Sequence, residues 1–248
     1  MKKNINEYWN KYQSIYSFEE FSVIYREIEL LRSVPFNNKN VIEIGCGFKP
    51  LFPVATDYNN YIAIEPGIDP FNAVSQISRN FNGVQVVNST FEDWSSSNNS
   101  FKADLIIFNG VLHEVDDAPQ VLNTCFNHLN SGGQIYINVP NMNSLHRRLA
   151  VSMGIIKDTH EKSSRNIELQ QNYNFSTDTL KKMIMNLSKK VEITKLSTFF
   201  LKPFTHDQMF LMFSEEIIDK KVIDGLYEVS SETEGLGSEI ACVITFND

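Results

Sequence analysis

Val41-Ile42-Glu43-Ile44-Gly45-Cys46-Gly47 decides how this chain is read. Its first half carries the alternating β-branched pattern of a buried strand. Two glycines then break it at the spacing of a tight turn, where backbone N–H groups can approach a ligand. Tyr61-Ile62-Ala63-Ile64-Glu65 reads as a second strand, and its closing acid stands twenty positions after Gly45. An ionised carboxylate accepts two hydroxyl hydrogen bonds, so an acid at that offset suits a ribose diol. Strand, glycine turn, crossover, strand and carboxylate outline the nucleoside-binding half of a doubly wound α/β sheet.

A dinucleotide site adds a third Gly or Ala for close packing around a pyrophosphate. Here that place is taken by Pro50, which lacks an N–H. Glu43-x-Gly45-x-Gly47 instead resembles the first motif of class I S-adenosylmethionine-dependent methyltransferases. Further along, Ala103 to Asn109 is nearly continuous in apolar residues, as a central strand is. It runs into Gly110-Val111-Leu112-His113-Glu114-Val115-Asp116-Asp117. A helix over Pro119 to Leu129, the turn Leu129-Asn130-Ser131-Gly132-Gly133-Gln134 and a strand over Ile135 to Asn141 follow. This succession is similar to the family's fourth and fifth motifs, so the resemblance covers about residues 41–141.

The resemblance implies a Rossmann-like seven-stranded sheet, order 3-2-1-4-5-7-6, with the last strand antiparallel. It also implies S-adenosyl-L-methionine as cofactor and S-adenosyl-L-homocysteine as product. Glu43 would hold the methionine ammonium, directly or through water. The Gly45-Cys46-Gly47 backbone would lie under the methionine and ribose, with Cys46 a small side chain fitted to a tight place. Glu65, followed by Pro66, would bind the ribose hydroxyls, and Asn109 and Gly110 would fix the amino-acid end. The loop Ser89 to Trp94 would meet adenine, either through Phe91 backbone and Glu92 or through Asp93.

Ahead of this half, residues 1–35 read as helical, ending at Pro35, with Phe18, Phe21, Ile24, Tyr25, Ile28 and Leu31 at helical spacing. The aromatic stretch Glu7 to Tyr16, including Tyr12, reads as a lid or as packing on the sheet. A third strand is expected over Gln85 to Asn88, after a helix from Phe71 to Asn82. Residues 142–174 are too long and polar for a simple connection and read as a substrate cap. Ser176 to Ser188 reads as a helix, Val191 to Lys202 as a sixth strand, Thr205 to about Tyr227 as one helix, and Ile240 to Phe246 as the last strand. The whole reads as one domain, with 175–248 its C-terminal part.

A hydroxyl acceptor needs a base, whereas an amine needs only to be deprotonated and oriented. His113, just past the fourth strand, is the first candidate, and it also stands where it can pack on the cofactor. His146, in the cap, is the second. Arg147, Arg148 and Arg165 offer guanidinium forks for a phosphate or carboxylate of the acceptor; Tyr12 is a further substrate contact. Tyr173, Phe199, Phe200 and Phe204 read as core.

The remaining numbers exclude more than they assign. The 248 residues carry a net charge of −8 and 42% hydrophobic residues, enough for a sizeable core but with no basic surface for nucleic acid. The 3 cysteines lack CxxC spacing, so no metal site or disulfide framework is indicated. No signal peptide or membrane span is read, and a cytoplasmic monomer or homodimer is expected. The expected function is methyl transfer to oxygen or nitrogen of a small-molecule or sugar-linked acceptor. By analogy with bacterial enzymes it falls in surface-polysaccharide or secondary-metabolite synthesis. The alternatives are a non-catalytic S-adenosylmethionine-binding protein and a nicotinamide oxidoreductase.

Overall fold

The computed structural model describes residues 18–98, 100–163, 166, 167, 169 and 171–247. Seven strands form one sheet: β1 Asn40–Ile44, β2 Asn60–Ile64, β3 Val84–Val87, β4 Ala103–Asn109, β5 Leu129–Pro140, β6 Val191–Phe199 and β7 Glu239–Phe246. Their order is β3-β2-β1-β4-β5-β7-β6, the arrangement the resemblance implies. β1 to β5 pair in parallel, and β7 pairs antiparallel to both β5 and β6.

Helices cover both faces. α1 Glu19–Ser33 ends one residue short of Val34 and two short of Pro35, as the expected break requires. Residues 1–17, Tyr12 and the aromatic stretch included, lie outside the described residues. α2 Ile68–Ser78 begins three residues earlier than Phe71, because Pro70 is tolerated in a helix's first turn. α3 Phe91–Ser97 is capped by Thr90, whose Oγ1 accepts the Asp93 N–H at 3.2 Å. α4 Ala118–Cys125, α5 Leu145–Ser152, α6 Thr177–Met185, α7 His206–Ser214 and α8 Lys220–Glu228 complete the set.

Other boundaries also differ from expectation. The helix after Asp117 stops at Cys125 and tightens into a 3-10 turn, Phe126–His128. The Gly132-Gly133 segment belongs to β5, as an irregular excursion between the pairs Ala103–Leu129 and Leu105–Gln134. β6 stops at Phe199 because Phe200 adopts a left-handed backbone, φ +59°. The single helix expected from Thr205 to about Tyr227 is two, α7 and α8, broken where Glu216 takes φ +55°.

Two cores flank the sheet. Ile42, Ile106, Phe108, Ile135, Ile137 and Cys242 face one; Val41, Leu105, Ile107, Tyr136, Ala241 and Val243 face the other. The alternation along each strand follows from the two-residue side-chain period. Among the described residues no helix is long and apolar enough to cross a membrane.

Candidate active site

Pairing continues past the strand ends and brings three turns together. Gly45 N–H donates to Ile64 O at 2.8 Å, Glu65 N–H to Val87 O at 2.9 Å, and Gly110 N–H to Asn138 O at 3.0 Å. Gly45 and Gly47 have φ of +68° and +57°, a region that L side chains rarely enter. A Cβ on Gly45 would stand 2.7 Å from Val111 Cγ2. The turn after β1 therefore lies flush against the turn after β4, and a cavity of about 910 Å³ opens at the carboxyl edge of the sheet.

Glu65 is buried at the cavity wall. Its Oε2 accepts the Gly47 N–H at 2.9 Å and its Oε1 the Gly67 N–H at 2.7 Å, so the glycine corner and the carboxylate fix each other. Asn88 Nδ2 donates to the carbonyls of Glu65 and Pro66 at 2.9 and 3.1 Å and holds that turn from β3's side. Glu43 also lines the cavity. Its Oε2 accepts from Leu51 N at 3.1 Å and Tyr61 OH at 2.8 Å, and burial pushes its carboxyl up to about 7.

Cys46, Pro66, Phe91, Glu92 and Gly110 share the same cavity, as does Asp93. The adenine alternatives thus all sit in the first turn of α3, behind Thr90. Asn109 adds a feature that the sequence does not reveal. Its side-chain Oδ1 is buried with no hydrogen-bond partner among the described residues. A buried acceptor beside the glycine corner fits an ammonium donor, and the Glu65 cradle fits a ribose diol. The residues present therefore suit S-adenosylmethionine. They do not suit a pyrophosphate, since the chain from 48 to 59 forms only turns and bends and aims no helix N-terminus at the corner.

His113 and His146 both line the cavity. Gln171 Nε2 lies 3.0 Å from His113 Nε2, which with the amide donating is an acceptor, leaving the ring proton on Nδ1. His146 Nδ1 is 3.1 Å from Ser144 Oγ. Burial, reinforced by the positive charges of Lys202, His206 and Arg147, pushes His146 down to about 2. Arg147 reaches the cavity, but its guanidinium donates to the carbonyls of Thr159 and Glu161 and so braces the 155–161 loop. Arg148 is exposed, donates to Asn143 O and does not line the cavity. Tyr12 and Arg165 lie outside the described residues. Tyr173 lines the cavity while its hydroxyl accepts the Ala118 N–H at 3.2 Å, so it is wall as well as core. Phe199 and Phe200 are buried as expected, whereas Phe204 is exposed.

Sequence reasoning missed a charged group in the cavity wall beside the turn after β4, where a Cβ on Gly110 would stand 3.3 Å from Arg26 Nη1. Arg26 Nη1 and Nη2 contact Glu19 Oε1 at 2.8 Å and Glu239 Oε1 at 2.7 Å. His206 Nε2 is 3.1 Å from Glu19 Oε2, and Lys202 Nζ is 2.8 Å from His206 Nδ1. All five line the cavity. Glu19 and Arg26 stand seven residues apart on α1, a spacing that reads as a solvated face when the packing is unknown.

The comparisons with known proteins come from family and fold. A family model described as a methyltransferase domain matches residues 16–183, more than half of the chain. No curated protein matches it. Among solved structures, a putative S-adenosylmethionine-dependent methyltransferase from Listeria monocytogenes is 14% identical, covers 92% of this chain and 100% of its own, and has a TM-score of 0.62. A possible histamine N-methyltransferase from Thermotoga maritima is 16% identical over 95% and 94% of the two chains, with a TM-score of 0.57. The plantazolicin methyltransferase BamL, solved with a substrate analogue and S-adenosylhomocysteine, is 14% identical over 98% and 88%, with a TM-score of 0.54. Those likenesses carry the fold; the domain match carries the family, and on it this chain belongs to the methyltransferase domain family, the class I S-adenosylmethionine-dependent group that the glycine corner resembles.

Proposed function

We propose that the protein transfers a methyl group from S-adenosylmethionine to an oxygen or nitrogen of a small-molecule or sugar-linked acceptor. The observation that carries this is the joined pair of Glu65 and the Gly45–Gly47 corner in the wall of one cavity large enough for cofactor and acceptor together. When bound, the cofactor supplies a methyl group already activated on a sulfonium. The chain's own contribution is alignment, which can be worth on the order of 7–11 kcal/mol of the barrier.

Glu65 accepts the ribose hydroxyls while its oxygens stay anchored on Gly47 and Gly67. Asn109 Oδ1 and Glu43 face the ammonium end, and the first turn of α3 meets the adenine. Residues 142–174 close over the acceptor and exclude water. For a hydroxyl acceptor, His113 is the proton acceptor, and it becomes available when Gln171 releases its Nε2. His146 is the weaker base, because a group held near 2 resists protonation in the transition state.

Calorimetry with S-adenosylhomocysteine tests the first half. We expect saturable binding to the intact protein and a severe loss with Glu65→Ala. An unchanged affinity in that variant removes Glu65 from the site, and no binding by the intact protein sinks the reading. Cofactor binding without turnover against any oxygen or nitrogen acceptor would favour a non-catalytic binding protein instead.

A further inference from the structure

We propose that Tyr61 is a positioning residue for the cofactor: its hydroxyl and the Leu51 N–H hold one oxygen of Glu43 and turn the other into the cavity for the cofactor's ammonium. The inference rests on the methyltransferase reading and deepens it, because it says how the acid of β1 is aimed and what the ammonium displaces there.

Glu43 stands on β1 between β2 and β4. β2 sets Ala63 opposite it and β4 sets Ile107, so neither strand puts a polar partner in register. Tyr61, two residues before Ala63 and on the same face of β2, is fully buried. Its ring meets Phe52 and Tyr58 edge-on, at 5.8 and 5.1 Å, which fixes where its hydroxyl points. That hydroxyl donates to Glu43 Oε2 at 2.8 Å, and the Leu51 N–H donates to the same oxygen at 3.1 Å. Among the described residues no hydrogen bond reaches Oε1, and Glu43 lines the cavity. A carboxyl gripped at one oxygen keeps one orientation, and Oε1 is the atom it presents.

The charge around this carboxyl has one sign. Burial is the first cause of its raised midpoint near 7, and the charged groups that add to it are Glu27 on α1 and Glu65 after β2, both acids. Cys46, in the corner beside it, is kept neutral by burial, and Lys49 acts on Glu27. The cation of this cluster therefore comes with the ligand.

Oε2 already accepts two hydrogen bonds, so the proton of the neutral carboxyl sits on Oε1. The ammonium approaches that same atom. Binding expels the proton to solvent and leaves a carboxylate paired with the ammonium. Tyr61 and Leu51 both donate to the ionised form and so favour the exchange.

The test is calorimetry of S-adenosylhomocysteine with the full-length protein at pH 6 and pH 8, each in two buffers of different ionisation enthalpy. Binding by itself judges the methyltransferase reading, and its absence sinks that reading and this proposal together; the proton count judges the proposal alone. We expect about one proton released per ligand at pH 6 and close to none at pH 8, since the free carboxyl titrates at about 7. Glu43→Gln has no such proton and sets the baseline from the ligand's amine and every other group. Tyr61→Phe keeps the ring and removes the donor. Its affinity should fall about tenfold at pH 6 and about twofold at pH 8, with release persisting to higher pH, as loss of a hydrogen bond to a charged group implies. A merely structural role would lower affinity equally at both pH values. Should Tyr61→Phe fail to fold, a fluorinated tyrosine introduced at that position replaces it, a stronger donor that should move the release to lower pH. The proposal is overturned if wild type and Glu43→Gln release the same number of protons, if folded Tyr61→Phe binds as wild type does or loses equally at both pH values, or if the fluorinated ring leaves the release where it was.

Discussion

Glu43 meets two opposed demands. A ligand's ammonium wants its carboxylate ionised, while the protein interior wants it neutral. In the folded chain its proton stays on to about pH 7, whereas an unfolded carboxyl releases it near ~4.3. The folded state thus binds more protons between those limits, and stability falls as pH rises through that window, then levels off. The cost at pH 8 is on the order of 3 kcal/mol. Glu43→Gln should therefore raise the melting temperature of the ligand-free protein at pH 8 by several degrees, at roughly 2–4 °C per kcal/mol. The gain should shrink at pH 5, and cofactor affinity should drop. Melting curves at the two pH values, with calorimetry alongside, check both signs.

Gly45 is constrained twice at the same scale. Its backbone is left-handed and its Cα faces Val111. Gly45→Ala should cost about 1–2 kcal/mol for the backbone alone, plus the clash. Adding Val111→Ala should recover the clash and leave the backbone cost, which urea denaturation of the single and double variants would resolve. A double variant as stable as wild type would mean the turn can rearrange.

The elements show which parts of a sequence speak for themselves. β1, β2 and β4 are legible because each is short, apolar and closed by a turn signal, and the structure places them within a residue or two of expectation. The split between α7 and α8 was not, because Glu216 in a left-handed conformation leaves no glycine or proline as a marker. Burial of Glu19 and Arg26 was illegible for another reason. It depends on β7 presenting Glu239 opposite α1, a meeting of residues more than two hundred positions apart. The Glu65 and glycine corner was readable because its chemistry depends on local spacing, whereas the Lys202 and His206 group depends on the meeting of four separate segments.

That same meeting makes α1 a load on one guanidinium. Arg26→Met should destabilise by about 3–5 kcal/mol, since two buried acids lose their cation. Combining it with Glu19→Gln and Glu239→Gln should restore part of the loss, because the charges leave with the arginine. Equilibrium denaturation would measure it; a loss under about 1 kcal/mol would place the trio among pairs that water already screens.

At the scale of the whole molecule, the three cysteines act as reporters. Cys46, Cys125 and Cys242 are all buried and free, and burial pushes the Cys242 thiol up to about 12. None should react with a thiol reagent in the native state, and all should react together on unfolding. Cys242 reacting ahead of the others would show β7 detaching by itself.

β7 lies between β5 and β6 although it is the last of the seven to be made. As a polypeptide emerges from the ribosome, β5 and β6 must wait with open edges for a partner still inside the exit tunnel. Unpaired edges of this kind recruit foreign strands. Newly synthesised chains of this protein thus pass through a vulnerable interval that closes only when Glu239 to Phe246 slides into the gap, and a chaperone that shields strand edges would be most useful until that strand has emerged.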